Sequence, residues 1–228
     1  AWRVRWAGDA SSVSKEALDE FGALMEEADE LALDVLTAVP GHPGAAVARL
    51  VTARGLGIPT DEWWYRFEQA RKVRPTLYPA HVHMLQALCA KWYGNDSLMF
   101  DFARRIFHEA PQGDPVMAIL PLAHLEYMVR LQGTAGKDRS RVNPVIHAER
   151  RRDQVGITAK GFHIINSTHP RSLEANQLVG WFEALFDASN ARRHLANSGR
   201  RMAYYPWACL APDPVGSYLL VRKELKMR

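Results

Sequence analysis

PGAAVARLVTARGLG (43–57), PAHVHMLQALCAKWYG (79–94) and PVMAILPLAHLEYMV (115–129) are three apolar, alanine-bearing runs whose opening prolines, Pro43, Pro79 and Pro115, stand 36 residues apart. The segments behind the first two runs correspond as well: Trp63, Trp64 and Phe67 before Pro75 fall opposite Met99, Phe100 and Ala103 before Pro111. The period therefore covers two helices. A self-similar step of roughly 20–50 residues marks stacked repeats, because one amphipathic helix pair cannot cover its own apolar stripe. The expected fold is all-α, with antiparallel helix hairpins stacked as a solenoid in a single domain over 1–228. Regular hairpins are expected at 11–131, an irregular basic insertion at 132–168 and further hairpins at 169–228.

Working outward, the boundaries have chemical causes. Trp2, Val4 and Trp6 alternate with Arg3 and Arg5, which reads as an extended arm or a short strand. Val13, Ala17, Phe21, Leu24 and Met25 recur at helical spacing behind serine caps and predict a helix over 13–27. A second helix is expected over 29–37, stopped by Val39-Pro40-Gly41. Helices follow at 44–56, 61–73, 80–93, 97–109 and 115–131, each bounded by Gly, Pro, Asn or Asp. Pro121 should kink the last of these or mark its true start. Downstream, helices are expected over 144–155, over the apolar stripe SLEANQLVGWFEALF (172–186), over 188–202, and from Pro214 to about 226.

In helix 61–73, Phe67, Ala70 and the following Pro75 match the aromatic, small and proline positions of the tetratricopeptide repeat, and the helix pairs resemble that family in length. The step of 36 departs from the family's usual step of about 34, and Ala103 and Ile106 stand at the corresponding places before Pro111. The resemblance implies a right-handed superhelix that holds a partner peptide or protein in a concave groove. On helix 80–93, Val82, Leu85, Cys89 and Trp92 form one apolar face and leave His83, Gln86, Ala90 and Tyr93 to solvent or a partner. Stepping by 36 from Ala90 gives Arg54 and Glu126, and from Gln86 gives Leu50 and Leu122. The expected partner groove is thus Leu50, Arg54, His83, Gln86, Tyr93, Leu122 and Glu126, a mixed-charge wall with an apolar floor that suits a peptide.

The net charge of +4 conceals a division. Residues 1–114 carry 12 Lys/Arg against 16 Asp/Glu, whereas 115–228 carry 17 against 9. Lys137, Arg139, Arg141, Arg150, Arg151 and Arg152 form the densest basic set, a candidate contact for a polyanion, for an acidic partner, or for the acidic N-terminal region of another copy. The plain alternative is a solvated loop and helix. Consecutive arginines fan around a helix, and no aromatic side chain interleaves them to stack on bases.

Nothing in the chain spells a known catalytic motif. His81 and His83, His124 and Glu126, and His147 and Glu149 are each two apart and share no helical face; no HExxH or CxxC occurs, and neither a metal nor a cofactor is expected. GTAGKD (133–138) has two residues between its glycines where a phosphate loop has four, and Asp138 stands where the loop's Ser/Thr belongs. Two cysteines are too few for a disulfide framework. No membrane-length apolar run or secretory signal is present, so a cytoplasmic location is expected. The sequence reading is a non-enzymatic module that binds a protein or peptide ligand. A nucleic-acid-associated protein is the alternative, and an enzyme with a site in 134–168 is a third class.

Overall fold

The computed structural model describes residues 12–136, 138–199 and 201–227, with Ala1 and Arg3; the alternating Trp2-Val4-Trp6 segment and Lys137 lie outside the described residues. Among the described residues every regular element is a helix, as the periodicity predicts, and none is long and apolar enough to cross a membrane. The chain divides into two compact units, Ala1–Gly94 and Asn95–Arg228.

The first unit holds α1 (Lys15–Ala38), α2 (Pro43–Leu56), α3 (Thr60–Val73) and α4 (Tyr78–Leu88). Ser14 starts α1 by accepting the Ala17 amide at 3.2 Å, and His42 does the same for α2 through Nδ1 and the Ala45 amide. The small side chains of α2 let α1 lie close against it, with Ala45, Ala46 and Ala53 buried. Leu50, Phe67, Ala70, Met84 and Leu85 fill the centre.

Two boundaries differ from expectation. Helices 13–27 and 29–37 are one helix of 24 residues, because Asp29, which reads as a helix start, has partners on α2 and α3 and has no need to cap. Helix 80–93 ends at Leu88, and Cys89 is extended. The reason is aromatic packing: the freed chain returns Trp92 to within 5.0 Å of the Arg54 guanidinium and Tyr93 against the Trp63 ring at 5.7 Å. Gly94 makes this return possible. A Cβ there would stand 2.0 Å from the Leu88 carbonyl oxygen.

The second unit holds α5 (Asp96–Glu109), a 3-10 turn (Pro115–Ala118), α6 (Ile119–Ala135), α7 (Asn143–Gly161), a 3-10 turn (Phe162–Ile164), α8 (Ser172–Glu183), α9 (Ala188–Asn197), α10 (Trp207–Leu210) and α11 (Pro214–Glu224). Asn95, Asp114, Asp187 and Asp213 each cap the element that follows them. Pro121 marks a start and causes no break, since it falls in the first turn of α6, where its missing amide costs nothing. Every residue from Pro115 to Glu126 is buried, and α6 packs against α5, α7, α8 and α10. Helix α7 runs six residues beyond the expected Val155, and its penultimate residue closes another helix: Lys160 Nζ donates to the carbonyls of Phe107, His108 and Ala110 at the end of α5, at 2.5, 3.1 and 3.1 Å. Helix α9 stops at Asn197, five residues short of expectation, with Gly199 at φ 59° just beyond it.

Two glycines give opposite outcomes in urea unfolding. Gly94→Ala is expected to lower stability by on the order of 3 kcal/mol, because backbone must move to admit the methyl group. Gly22→Ala, in the interior of α1 with nothing within 4 Å of the new Cβ, is expected to raise it by ~1 kcal/mol.

Candidate functional site

A charged side chain on the apolar stripe of a helix must find a partner, and three such residues meet in the first unit. Asp29 follows Met25 and precedes Ala32 on the buried side of α1; Arg66 sits between Trp63 and Ala70 on the buried side of α3. Arg66 Nη1 donates to Asp29 at 2.6 Å and to the Arg49 carbonyl at 2.9 Å, Nη2 to Asp29 at 3.1 Å, and Nε to Glu62 at 2.7 Å. Arg49 donates to both Asp29 oxygens at 3.2 and 3.3 Å, and the Thr52 hydroxyl donates at 2.5 Å. Burial pushes the Asp29 carboxyl up, but the hydrogen bonds from Arg49, Thr52 and Arg66 outweigh it and hold the carboxyl below its usual range.

The two arginines form the wall of a cleft of about 260 Å³. Leu33, Leu36, Pro40, Tyr65 and Val73 supply most of the rest, so the cleft is an apolar slot between α1 and α3 with cationic groups along one side. Asp29 and Glu62 do not line it. Arg49 spends Nε and Nη2 on Asp29, and its Nη1 makes no hydrogen bond among the described residues. At the rim, Leu33 and Tyr65 are exposed.

The predicted groove does not form as drawn. Leu50 and Leu122 are wholly buried, and Gln86 and Glu126 are buried too, so these four cannot line an open wall. Leu50, Gln86 and Leu122, one step apart, all lie in the interior, whereas Arg54, Ala90 and Glu126, also one step apart, are half-buried, exposed and buried in turn. The structure does bring together Arg54, His83 and Tyr93: the Tyr93 hydroxyl donates to the Arg54 carbonyl at 3.3 Å, and burial together with the Arg54 charge lowers His83 to about 4.

The basic set also divides. Arg139, Arg141 and Arg151 are exposed, while Arg152 reaches Glu149 at 3.2 Å. Arg150 is no surface contact. It is 2% exposed, donates to the Phe182 carbonyl at 2.7 Å and lies 4.3 Å from the Trp181 ring centre; burial lowers it to about 9. Ile146, Arg150 and Ile157 share one helical face, which was the available signal that this arginine points inward.

Beside it, Arg104 on α5 binds both Glu149 and Asp153 on α7, and His124 on α6 donates through Nε2 to Asp153 at 2.9 Å. The His124 ring is wholly buried, and burial lowers its pKa. Burial raises Asp153, but hydrogen bonds from His124 and Arg104 reverse this and hold it at about 2. This network joins three helices. His194 is a second buried histidine of this unit, lowered by burial to about 4 and donating from Nδ1 to Asn176 at 2.8 Å. Among the described residues no three His, Cys, Asp or Glu side chains are grouped to hold a metal ion.

Among the described residues the regular structure is all helical, and the first unit carries a small apolar slot walled by arginine. No family model, no curated protein and no solved structure matches the chain.

Two measurements check these assignments. Asp29→Ala strands the nearly buried Arg66 without its principal counter-charge and is expected to cost ~3–5 kcal/mol in urea unfolding. His83 and His194 stay neutral in the folded chain down to about pH 4 but take a proton at about 6.5 once unfolded, and His124 shifts in the same direction. Stability is therefore full above pH 6.5 and lost as pH falls towards 4, by ~1.4 kcal/mol per pH unit for each histidine. Asp153 adds its own loss only below about pH 3.8, as pH falls towards 2.

Proposed function

We propose that this chain is a non-enzymatic helical interaction module that takes up a peptide segment of a protein partner in the cleft between α1 and α3. An apolar side chain of the peptide enters between Leu33, Leu36, Tyr65 and Val73, and a neighbouring carboxylate meets the Arg49 and Arg66 side. The observation that carries this reading is the lining itself: apolar walls, two guanidiniums and no acid facing inward. Pockets for small molecules commonly enclose roughly 300–1,000 Å³, so this slot fits an anchoring side chain better than a cofactor. Arginine beside an aromatic rim is the composition of peptide hot spots, since a guanidinium fork grips a carboxylate and a ring supplies contact area at low entropic cost. The finer architectural reading, α2 and α3 as one tetratricopeptide-like hairpin of a solenoid, accords with this use, with the slot at the flank of the pair replacing the groove expected from the 36-residue step.

The nucleic-acid alternative draws on Arg139, Arg141, Arg151 and Arg152, but loses Arg150 to the core and shares Arg152 with Glu149.

Selection of displayed random peptides on the whole chain tests the proposal, with affinities read by fluorescence anisotropy. Recovered peptides should pair Leu, Ile or Phe with a nearby Asp or Glu, and Tyr65→Ala and Leu33→Asp should each weaken binding at least ~10-fold. Peptides that bind both rim variants as tightly as the parent chain, or a selection that yields no binder, overturn it.

A further inference from the structure

Helix α7 leaves an apolar and cationic face open. Ala148, Arg151 and Val155 recur at steps of three and four residues, and Phe162 follows one 7-residue interval later. Val155 is 80% exposed, more than any other large apolar side chain among the described residues, and Phe162, in the 3-10 turn that follows α7, is 58% exposed. Arg151 has no partner among the described residues, and Arg152, 66% exposed, lies alongside.

The same chain carries a surface of opposite character. On α1, Glu20, Glu27, Leu31 and Asp34 form one exposed stripe, with Glu16 and Glu30 beside it. None of these carboxylates has an ion-pair partner among the described residues. Several stand three or four residues apart, where like charges repel by ~0.2–0.5 kcal/mol a pair, and the last turn holds no basic residue to offset the helix dipole. A cationic partner relieves both costs. Leu33 and Leu36, which line the cleft, lie on a different edge of α1, so this stripe is separable from the peptide slot.

We infer that α1 of one molecule docks on the α7 face of a second copy of this chain, in a head-to-tail contact. The stripes match in length, each running 14 residue steps, from Glu20 to Asp34 and from Ala148 to Phe162 just past the end of α7, or about 21 Å at the α-helical rise. They match in order as well. With Leu31 against Val155, Arg151 and Arg152 reach Glu27 if the helices run parallel and Asp34 if they run antiparallel. Two different surfaces meet, so the contact does not close on itself as a two-fold dimer; it extends to rings or open chains. One helix on one helix buries little area, and the association is weak and salt-sensitive.

Sedimentation of the whole chain over a wide concentration range, in low and high salt, tests this. At low salt the average mass should rise with concentration past that of a dimer, and at high salt the effect should be lost. Two variants separate the surfaces: Glu27→Lys with Asp34→Lys on α1, and Arg151→Ser, Arg152→Ser and Val155→Ser on α7. Each alone should sediment as a monomer with unchanged helical circular dichroism. Mixed, they retain one intact face each and should form a dimer that grows no further. A chain that stays monomeric at low salt at every concentration overturns the inference. So does a mixture that stays monomeric, or association abolished by the α7 changes but untouched by those on α1, which assigns the α7 face to self-pairing or another partner.

Discussion

A carboxylate turned towards the interior of a helix bundle is tolerable only with a cation beside it, and Asp29 has two. Arg49 comes from α2 and Arg66 from α3, so a single acidic group on α1 fixes the positions of three helices at once. Alone, either guanidinium or the carboxylate would carry a desolvation penalty of several kcal/mol; together they satisfy one another through two-point hydrogen bonds. The apolar contacts around Leu50 and Phe67 bring the helices together, but such contacts are not directional. The ionic knot supplies the register, and it leaves the guanidiniums along one side of an otherwise greasy slot.

The second unit solves a similar problem with different parts. Among the described residues no carboxylate touches Arg150, although the charge of Glu183 favours its charged form; the Phe182 and Trp181 carbonyls and the faces of aromatic rings surround it, an environment that suits a planar, weakly hydrated cation. Arg104, Glu149, Asp153 and His124 form a linked set in which each group has a neighbour of complementary kind. His124 and Asp153 stand 29 positions apart and Arg104 and Asp153 49 apart, so the set exists only once α5, α6 and α7 have met.

That separation explains what could be read in advance. Helical character, most element starts and the role of Pro121 follow from local chemistry: a cap, a proline, an apolar step of three or four. The 36-residue step did not mark an open wall: Leu50, Gln86 and Leu122, one step apart, are all buried. Element ends set by distant partners were not legible, because the early end of α4 is governed by Trp92 and Tyr93 finding Arg54 and Trp63, and the extension of α7 reaches a lysine that serves another helix. Of the cleft, only a hint was available. Asp29 and Arg66 each interrupt an apolar stripe, and a charge in such a place announces a remote partner without naming it. Arg150 between Ile146 and Ile157 gave the same hint and belonged to the interior.

The three carbonyls that finish α5 near Glu109 are answered by an ammonium group about fifty residues later in the chain. A helix whose last turn depends on so distant a donor cannot be sealed as it emerges during synthesis; its end stays frayed until α7 has been made and laid alongside. The end of α5 is therefore completed by a non-local contact, one whose loop must close before it adds anything to the stability of the second unit.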